Sequence, residues 1–446
     1  MVSIEKVRGA RNYVGRGRTG TVAGFLSALL FLGLVLAGTA AADDYHYVNN
    51  IIGERAAGMG GAYVAVADDT SGLFYNPAGT VFATGNSVSA SGNTWRQESK
   101  TYNGALGNSN YQRNSTTIQP NFFGVVQHTP IGTIGFSYVI PDSTLQQQDQ
   151  SFAYPYTNIP TYTLNYNNEI NSYNIGPSYA TDVTKNLKVG ITLYYHFKKR
   201  KTINNQIQTV AVTGQPNQAQ WDNFLFKDEE NGARPILGFI YAPEDGKYSL
   251  GLAVSKTFVF NASQYFQKTC RHSLPAGTGD PCYSATDSAH QPVEFPIQTG
   301  DVLPDYPTEV RFGAAFFPSN AWLISADVDY FSRANSDSFG VYGWTRQPVL
   351  NLAVGTEYYF TPAFAVRGGL YTDNTNVDSQ GLAVADDKIN LYGASLSTAW
   401  FTKYSSISLG LNYAFGSGDS NISASGVLGT MSSRVLTIFL GSSYNY

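Results

Sequence analysis

Charged residues fall on one parity along four consecutive alternating stretches: Glu309 and Arg311, then Asp327 and Asp329, then Glu357, then Arg367. Residues two apart share one face of a strand, so these groups project to one side of neighbouring strands. Charges of both signs gathered there either pair, because burying an unpaired charge is costly, or solvate a water-filled space. Glu54, Arg55, Asp68 and Asp69, near the N-terminus, supply further partners. The chemistry these residues offer is charge pairing, not bond making.

Catalytic constellations are missing from the sequence. The five histidines (His46, His128, His196, His272 and His290) are scattered, with no GxSxG elbow, HExxH or Cys/His pairing. His196 shares the inward parity of its stretch and reads as lining a lumen. Asp373 to Asp378 lacks the glycine and terminal glutamate of a calcium loop. The chain is therefore expected to be no enzyme, with no metal and no cofactor. Cys270 and Cys282 are its only cysteines and are expected to sit twelve positions apart in a Pro/Gly/Ser-rich loop. In an exported protein such a pair reads as a disulfide, whose loop closure contributes about 3 kcal/mol.

The elements that position these residues are strands. Trp322, Ile324, Ala326, Val328 and Tyr330 alternate with Ser325, Asp327 and Asp329. Ile407, Leu409, Leu411, Tyr413 and Phe415 alternate with polar or small residues in the same way, as do Val189, Ile191, Leu193, Tyr195 and Phe197. Period two means strand, although a soluble sandwich would alternate too. The connections separate the two cases. Fourteen segments are expected, near 86–96, 116–128, 131–142, 168–181, 187–201, 231–242, 247–266, 306–317, 321–332, 348–360, 363–373, 389–401, 405–416 and 433–446. Short links such as Thr129-Pro130, Pro243 to Gly246 and Thr361-Pro362 alternate with long ones, among them 97–115, 143–167 and 202–230. Short turns on one side and long loops on the other are the pattern of an outer-membrane barrel.

Composition agrees. Only 13% of the 446 residues are charged, against about 25% in ordinary soluble domains. Tyr, Phe and Gly are abundant, and the net charge of -4 gives no reason to expect nucleic-acid binding. Residues 1–42 read as a signal peptide: basic residues, an apolar run from Val22 to Ala37, then Ala40-Ala41-Ala42 before Asp43. An uncleaved anchor helix is the alternative.

Between them, Gly53 to Gly79 (GERAAGMGGAYVAVADDTSGLFYNPAG) is rich in small residues. Such a stretch cannot build its own core and must fit closely against something else. Gly58, Gly60 and Gly61 would allow close backbone approach. Asn76-Pro77-Ala78 initiates a turn and either ends the stretch or shapes what lies beside it. Lys198 to Lys201 (KKRK) falls at the outer end of the fifth segment, where it is a solvated strand end or a contact for lipopolysaccharide phosphates. Trp221, Phe224, Leu225 and Phe226 lie in the long link 202–230, either packing that loop or forming a first capture site for hydrophobic molecules.

The glycine-rich stretch resembles the N-terminal hatch of the FadL-type outer-membrane transporters of long-chain fatty acids and aromatic hydrocarbons. There, an Asp-Asp-containing run (here Asp68-Asp69) leads to an Asn-Pro-Ala motif (here Asn76, Pro77 and Ala78). Leu303 to Phe331 and Asn351 to Asp373 resemble that family's late strands; the middle of the chain matches in pattern only. The resemblance implies an all-β fold, a 14-stranded antiparallel transmembrane β-barrel (residues 86–446) with an N-terminal hatch (residues 43–85) inside the lumen. It also implies passive uptake of a hydrophobic small molecule through an apolar pocket, released by a hatch shift or a lateral opening. The expected partners are that molecule, outer-membrane lipid and lipopolysaccharide, and the chain is expected to act as a monomer without nucleic acid. A porin for polar solutes and a structural or secretion-associated barrel are the alternatives.

Overall fold

The computed structural model describes residues 46–106, 109–156, 159–211, 216–272, 295–336, 344–377, 387–420 and 429–446. The expected signal peptide and Cys282 lie outside them. Cys270 is disulfide-bonded and buried near the end of a strand.

Fourteen strands form the wall: β1 (Ser87–Leu106), β2 (Ser109–Thr129), β3 (Gly132–Tyr156), β4 (Ile159–Asp182), β5 (Leu187–Val210), β6 (Gln218–Tyr241) and β7 (Tyr248–His272), then β8 (Asp305–Ser319), β9 (Trp322–Phe331), β10 (Val349–Thr361), β11 (Phe364–Asp373), β12 (Leu391–Phe401), β13 (Ser405–Ser420) and β14 (Gly429–Asn445). Each pairs antiparallel with its neighbours in sequence, and β14 pairs with β1 from Ser87↔Asn445 to Asn103↔Thr430. The sheet therefore closes. Closure is what a lipid environment demands, since hydrocarbon offers the backbone no hydrogen-bond partner.

The alternation sorts the two faces. Ile407, Leu409, Leu411, Tyr413 and Phe415 are exposed on the outside of β13, while Ser408, Asn412 and Ala414 are buried within. On β9, Trp322, Val328 and Tyr330 face out, and Leu323, Ser325 and Asp327 face in. Trp322 and Trp400 are exposed beside the short turns, as an interfacial aromatic belt requires.

The wall is far taller on one side. β9 and β11 have 10 residues each, about what a tilted strand needs to cross a bilayer. β3 and β7 have 25 each. The expected long links 97–115, 143–167 and 202–230 are thus largely strand: β1 runs to Leu106 and β2 starts at Ser109, and β3 runs to Tyr156 and β4 starts at Ile159. The physical reason is that hairpins rising above the bilayer have no lipid-facing side. The outward parity of β4 there is polar (Thr163, Asn165 and Asn167) while Leu164 and Tyr166 turn inward and are buried, so the lipid-facing apolar parity stops while the hydrogen-bond ladder continues.

Candidate functional site

Residues 46–85 pack inside this wall. The segment holds two short helices, α1 (Glu54–Gly58) and α2 (Gly72–Tyr75), followed by a 3-10 helix (Pro77–Phe82). Ile52, Met59, Tyr63 and Phe74 join one core with Phe122, Tyr194, Ile236, Leu323 and Phe439, which come from five different strands of the wall. The fit is close on both sides. A Cβ on Gly58 would lie 2.1 Å from the Ser397 hydroxyl oxygen. A Cβ on the wall glycine Gly369 would lie 2.2 Å from the Met59 carbonyl carbon. Gly60 has φ +66° and Gly61 φ +87°, a region that L side chains rarely adopt.

Wall side chains bind the segment's backbone directly. Asp327 accepts hydrogen bonds from the N–H groups of Tyr63 (2.6 Å) and Val64 (2.8 Å). Ser249, Ser325 and Ser395 donate to the carbonyls of Ala65, Ala62 and Gly58, and Thr192 to that of Leu73. Asn76 donates to Val64 O at 2.9 Å and to Phe239 O on β6 at 3.0 Å, while its own Oδ1 accepts from Ala78 N. Asn76 thus caps the 3-10 helix and binds it to the wall at once, with Pro77 at the first helical position, where no donor is needed.

The ten charged residues singled out in the sequence separate into two ion-pair clusters, a backbone anchor, a buried acid and an acid bound within its own turn. In the first cluster, Glu357 on β10 accepts from Arg55 of the segment and from Arg367 on β11, both at 2.7 Å, and Arg55 also pairs with Asp68. In the second, Glu309 pairs with Arg311 and with Arg234 of β6 (2.6 Å), and Arg311 lies 3.8 Å from Asp329. Asp327 is the backbone anchor described above. Glu54 is buried against Gly441 of β14 and makes no ion pair among the described residues; burial, then the nearby Asp69 carboxylate, push its carboxyl up from the ordinary range. Asp69 instead accepts from Ser71 of its own turn. Arg234 was not foreseen. Its inward parity with Ile236 and Ile240 on β6 was the available signal.

Above the segment lies a cavity of about 220 Å³, whose lining includes Tyr47, Phe74, Tyr75, Lys198, Arg234 and Arg311. Both guanidiniums sit 5.3 Å from the Phe74 ring centroid. Asp142, Glu309 and Asp329 line it as well, so the lining is aromatic and charged with both signs, not the apolar pocket that the resemblance implied.

Two readings from the sequence change, one in the long link 202–230 and one just before it. Trp221, Phe224, Leu225 and Phe226 lie on β6, not in a loop, and strand alternation splits them. Phe226 is buried inward, with Phe224 6.4 Å from Phe266 of β7. Trp221 and Leu225 face out beside Ile207 and Ile203. No single four-residue patch exists. Lys198 to Lys201 likewise sits within β5, where Lys198 turns in toward Glu230 and Tyr306 while Lys199 pairs with Glu229 on the outer face.

The ladder between β2 and β3 is incomplete. Pairing runs from Thr129↔Gly132 to Phe122↔Val139 and stops, although both strands continue for more than ten residues. Beyond that point β2 pairs only with β1, and β3 only with β4, among the described residues. The lower corner of the slit is held by the N-terminal segment: Asn50 donates to Ile140 O at 3.2 Å, Asn49 to Asp142 at 3.0 Å, and Asn121 to Ile51 O at 3.3 Å. Pro141, Asp142 and Asn49 also line the cavity, which therefore abuts the slit.

No protein-family model and no curated protein matches the chain. Solved structures do. A Pseudomonas aeruginosa FadL homologue superposes with a TM-score of 0.63 at 14% identity, covering 90% of this chain and 99% of that one. The P. putida toluene transporter TodX gives 0.61 at 14%, with the same coverage. The Ralstonia pickettii toluene transporter TbuX gives 0.55 at 12%, covering 90% and 99%. At such identities the likeness speaks for architecture, and on that ground the chain has the fold of the FadL-type channels, a fourteen-stranded antiparallel transmembrane β-barrel.

Proposed function

We propose that this chain is a bacterial outer-membrane channel for passive uptake of hydrophobic small molecules, with residues 43–85 acting as a plug and residues 86–446 as the barrel. The observation that carries the reading is the pairing of a filled bore with a breached wall. The segment is bound to the wall through its backbone at Asp327, Asn76, Ser249, Ser325, Ser395 and Thr192. The β2–β3 ladder meanwhile lacks pairing beside the cavity.

A hydrophobic solute is held back by the hydrated, charged lipopolysaccharide layer, not by hydrocarbon, and needs a protein route only that far. Of the two releases that the FadL-type resemblance implies, the geometry favours the lateral one. A downward shift of the segment would break many backbone hydrogen bonds together, whereas the side slit is already without them. A porin for polar solutes is disfavoured by the same filled bore. The charged rim, where Lys198, Arg234 and Arg311 stand beside Glu309 and Asp329, suits a solute with a polar end better than a bare hydrocarbon.

The test is to purify the chain in mild detergent and identify co-purifying small molecules by mass spectrometry. A fatty acid or hydrocarbon released on denaturation and displaced by an added one supports the reading. A stoichiometric protein partner and no lipid would favour a secretion-associated barrel.

A further inference from the structure

The slit between β2 and β3 has an upper end as well as a lower one. There the two strands, although unpaired, are gathered by side chains. Gln150 accepts from the backbone N–H of Gln112 at 2.9 Å, and Gln148 donates to Asn114 O. Tyr111 of β2 meets Phe152 of β3 edge-on at 6.4 Å.

Between these contacts lies Arg113, buried although it stands on the rising part of the wall. Its guanidinium carbon is 3.9 Å from the ring centroid of Tyr166 on β4, 5.0 Å from Tyr102 on β1 and 5.5 Å from Tyr111. One side chain of β2 thus reaches past β3 to β4, spanning the two edges that the backbone leaves apart. A cation held against several aromatic faces away from water is well bound.

A second element fixes it. Asp387 is buried 3.9 Å from Arg113, and accepts from Tyr102 OH (2.5 Å) and Ser420 (2.7 Å). The short strand Asp387–Ile389 pairs with Gly418 to Ser420 of β13, and Ile389 packs among Tyr102, Tyr111, Phe152, Leu164 and Met431. This piece of chain therefore presses inward onto the inner faces of β1 to β4 at the height of the slit's rim.

We propose that Arg113, seated by Asp387 and the three tyrosines, is the positioning residue that clamps the upper rim of the β2–β3 slit and limits its width. The clamp rests on the uptake reading for its purpose but not for its existence. Losing the guanidinium frees β2 from β4 and lets the unpaired stretch spread; a lysine keeps a cation in the cage and holds part of the closure.

The test uses the full chain with spin labels on cysteines at Thr116 and Leu145, which flank the slit on β2 and β3. In R113Q and in D387N the interspin distance distribution shifts to longer values than in wild type, while R113K stays near wild type and all variants keep the heat-modifiable mobility of a closed barrel. An unchanged distribution in both R113Q and D387N, with barrels intact, overturns the clamp. In cells, R113Q at least doubles the uptake rate of a labelled long-chain fatty acid. A disulfide across N114C and Q148C returns that rate to wild type until reduced, and a raised rate that is indifferent to the disulfide also overturns the clamp. If the distances lengthen but no variant, wild type included, moves the fatty acid, the uptake reading fails and the clamp stands.

Discussion

The carboxylate of Asp327, on the inner face of β9, accepts the backbone N–H of Tyr63 at 2.6 Å. The same oxygen accepts from Val64 at 2.8 Å, so one wall side chain fixes two successive peptides of the segment in the bore. Asp327→Ala leaves two buried donors unmatched, at a cost of about 1–3 kcal/mol for each. The expected outcome is faster protease cleavage within residues 59–70 in a barrel that still migrates as folded. Asp327→Asn, which keeps one acceptor, should fall between.

Charge reversal at Arg367 strands Glu357 between a new carboxylate and Arg55. Breaking a buried pair by removing one partner costs about 3–5 kcal/mol, and Arg367 is only 2% exposed. Arg367→Glu should therefore loosen the segment and raise conductance for small ions in planar bilayers. Arg311→Glu should do the same through Glu309. Silent bilayers from both would mean that these groups solvate the bore without holding its contents.

Gly369 offers a steric test. A Cβ there would meet Met59 backbone at 2.2 Å, closer than packed atoms approach. Gly369→Val should displace the segment while leaving the β11 ladder intact. Exposure of a cysteine placed at Met59 to a bulky thiol reagent reads the displacement.

Glu54 gives a pH dependence. Its folded-state pKa is raised, chiefly by burial, so its ionisation works against seating. Its contribution is fully present below the ordinary carboxylate pKa of about 4.3 and is lost as pH rises through the raised value. Above that ordinary pKa, Glu54→Gln should hold the segment at least as firmly as wild type and flatten the pH dependence of its proteolysis. A steeper dependence in the variant would contradict this assignment.

Strand identity, number and parity were legible because lipid outside and a polar bore inside impose period two. Ile407 to Phe415 and Trp322 to Tyr330 show it directly. The rising walls were not, since the outward parity of β4 at Thr163, Asn165 and Asn167 is polar and resembles loop. That same misreading joined Trp221 and Leu225 to Phe224 and Phe226, which point to opposite sides of β6. In the bore, Glu357, Arg367 and Arg55 could be grouped by parity, but which charge meets which depends on strand stagger. The wall glycines Gly355 and Gly369 carried a signal of close approach that alternation alone does not rank. The slit left only a trace: Pro120 and Pro141 flank the place where β2 and β3 part, and a residue without an N–H cannot complete a ladder.

The central claim is that this barrel passes hydrophobic solutes while its bore stays shut to polar ones. The most direct measurement compares cells with a lipopolysaccharide outer leaflet, with and without the chain, for uptake of a labelled long-chain fatty acid and of a polar solute of similar mass. Faster uptake of the fatty acid alone is the predicted result; faster uptake of the polar solute, with the fatty acid unchanged, would contradict the account.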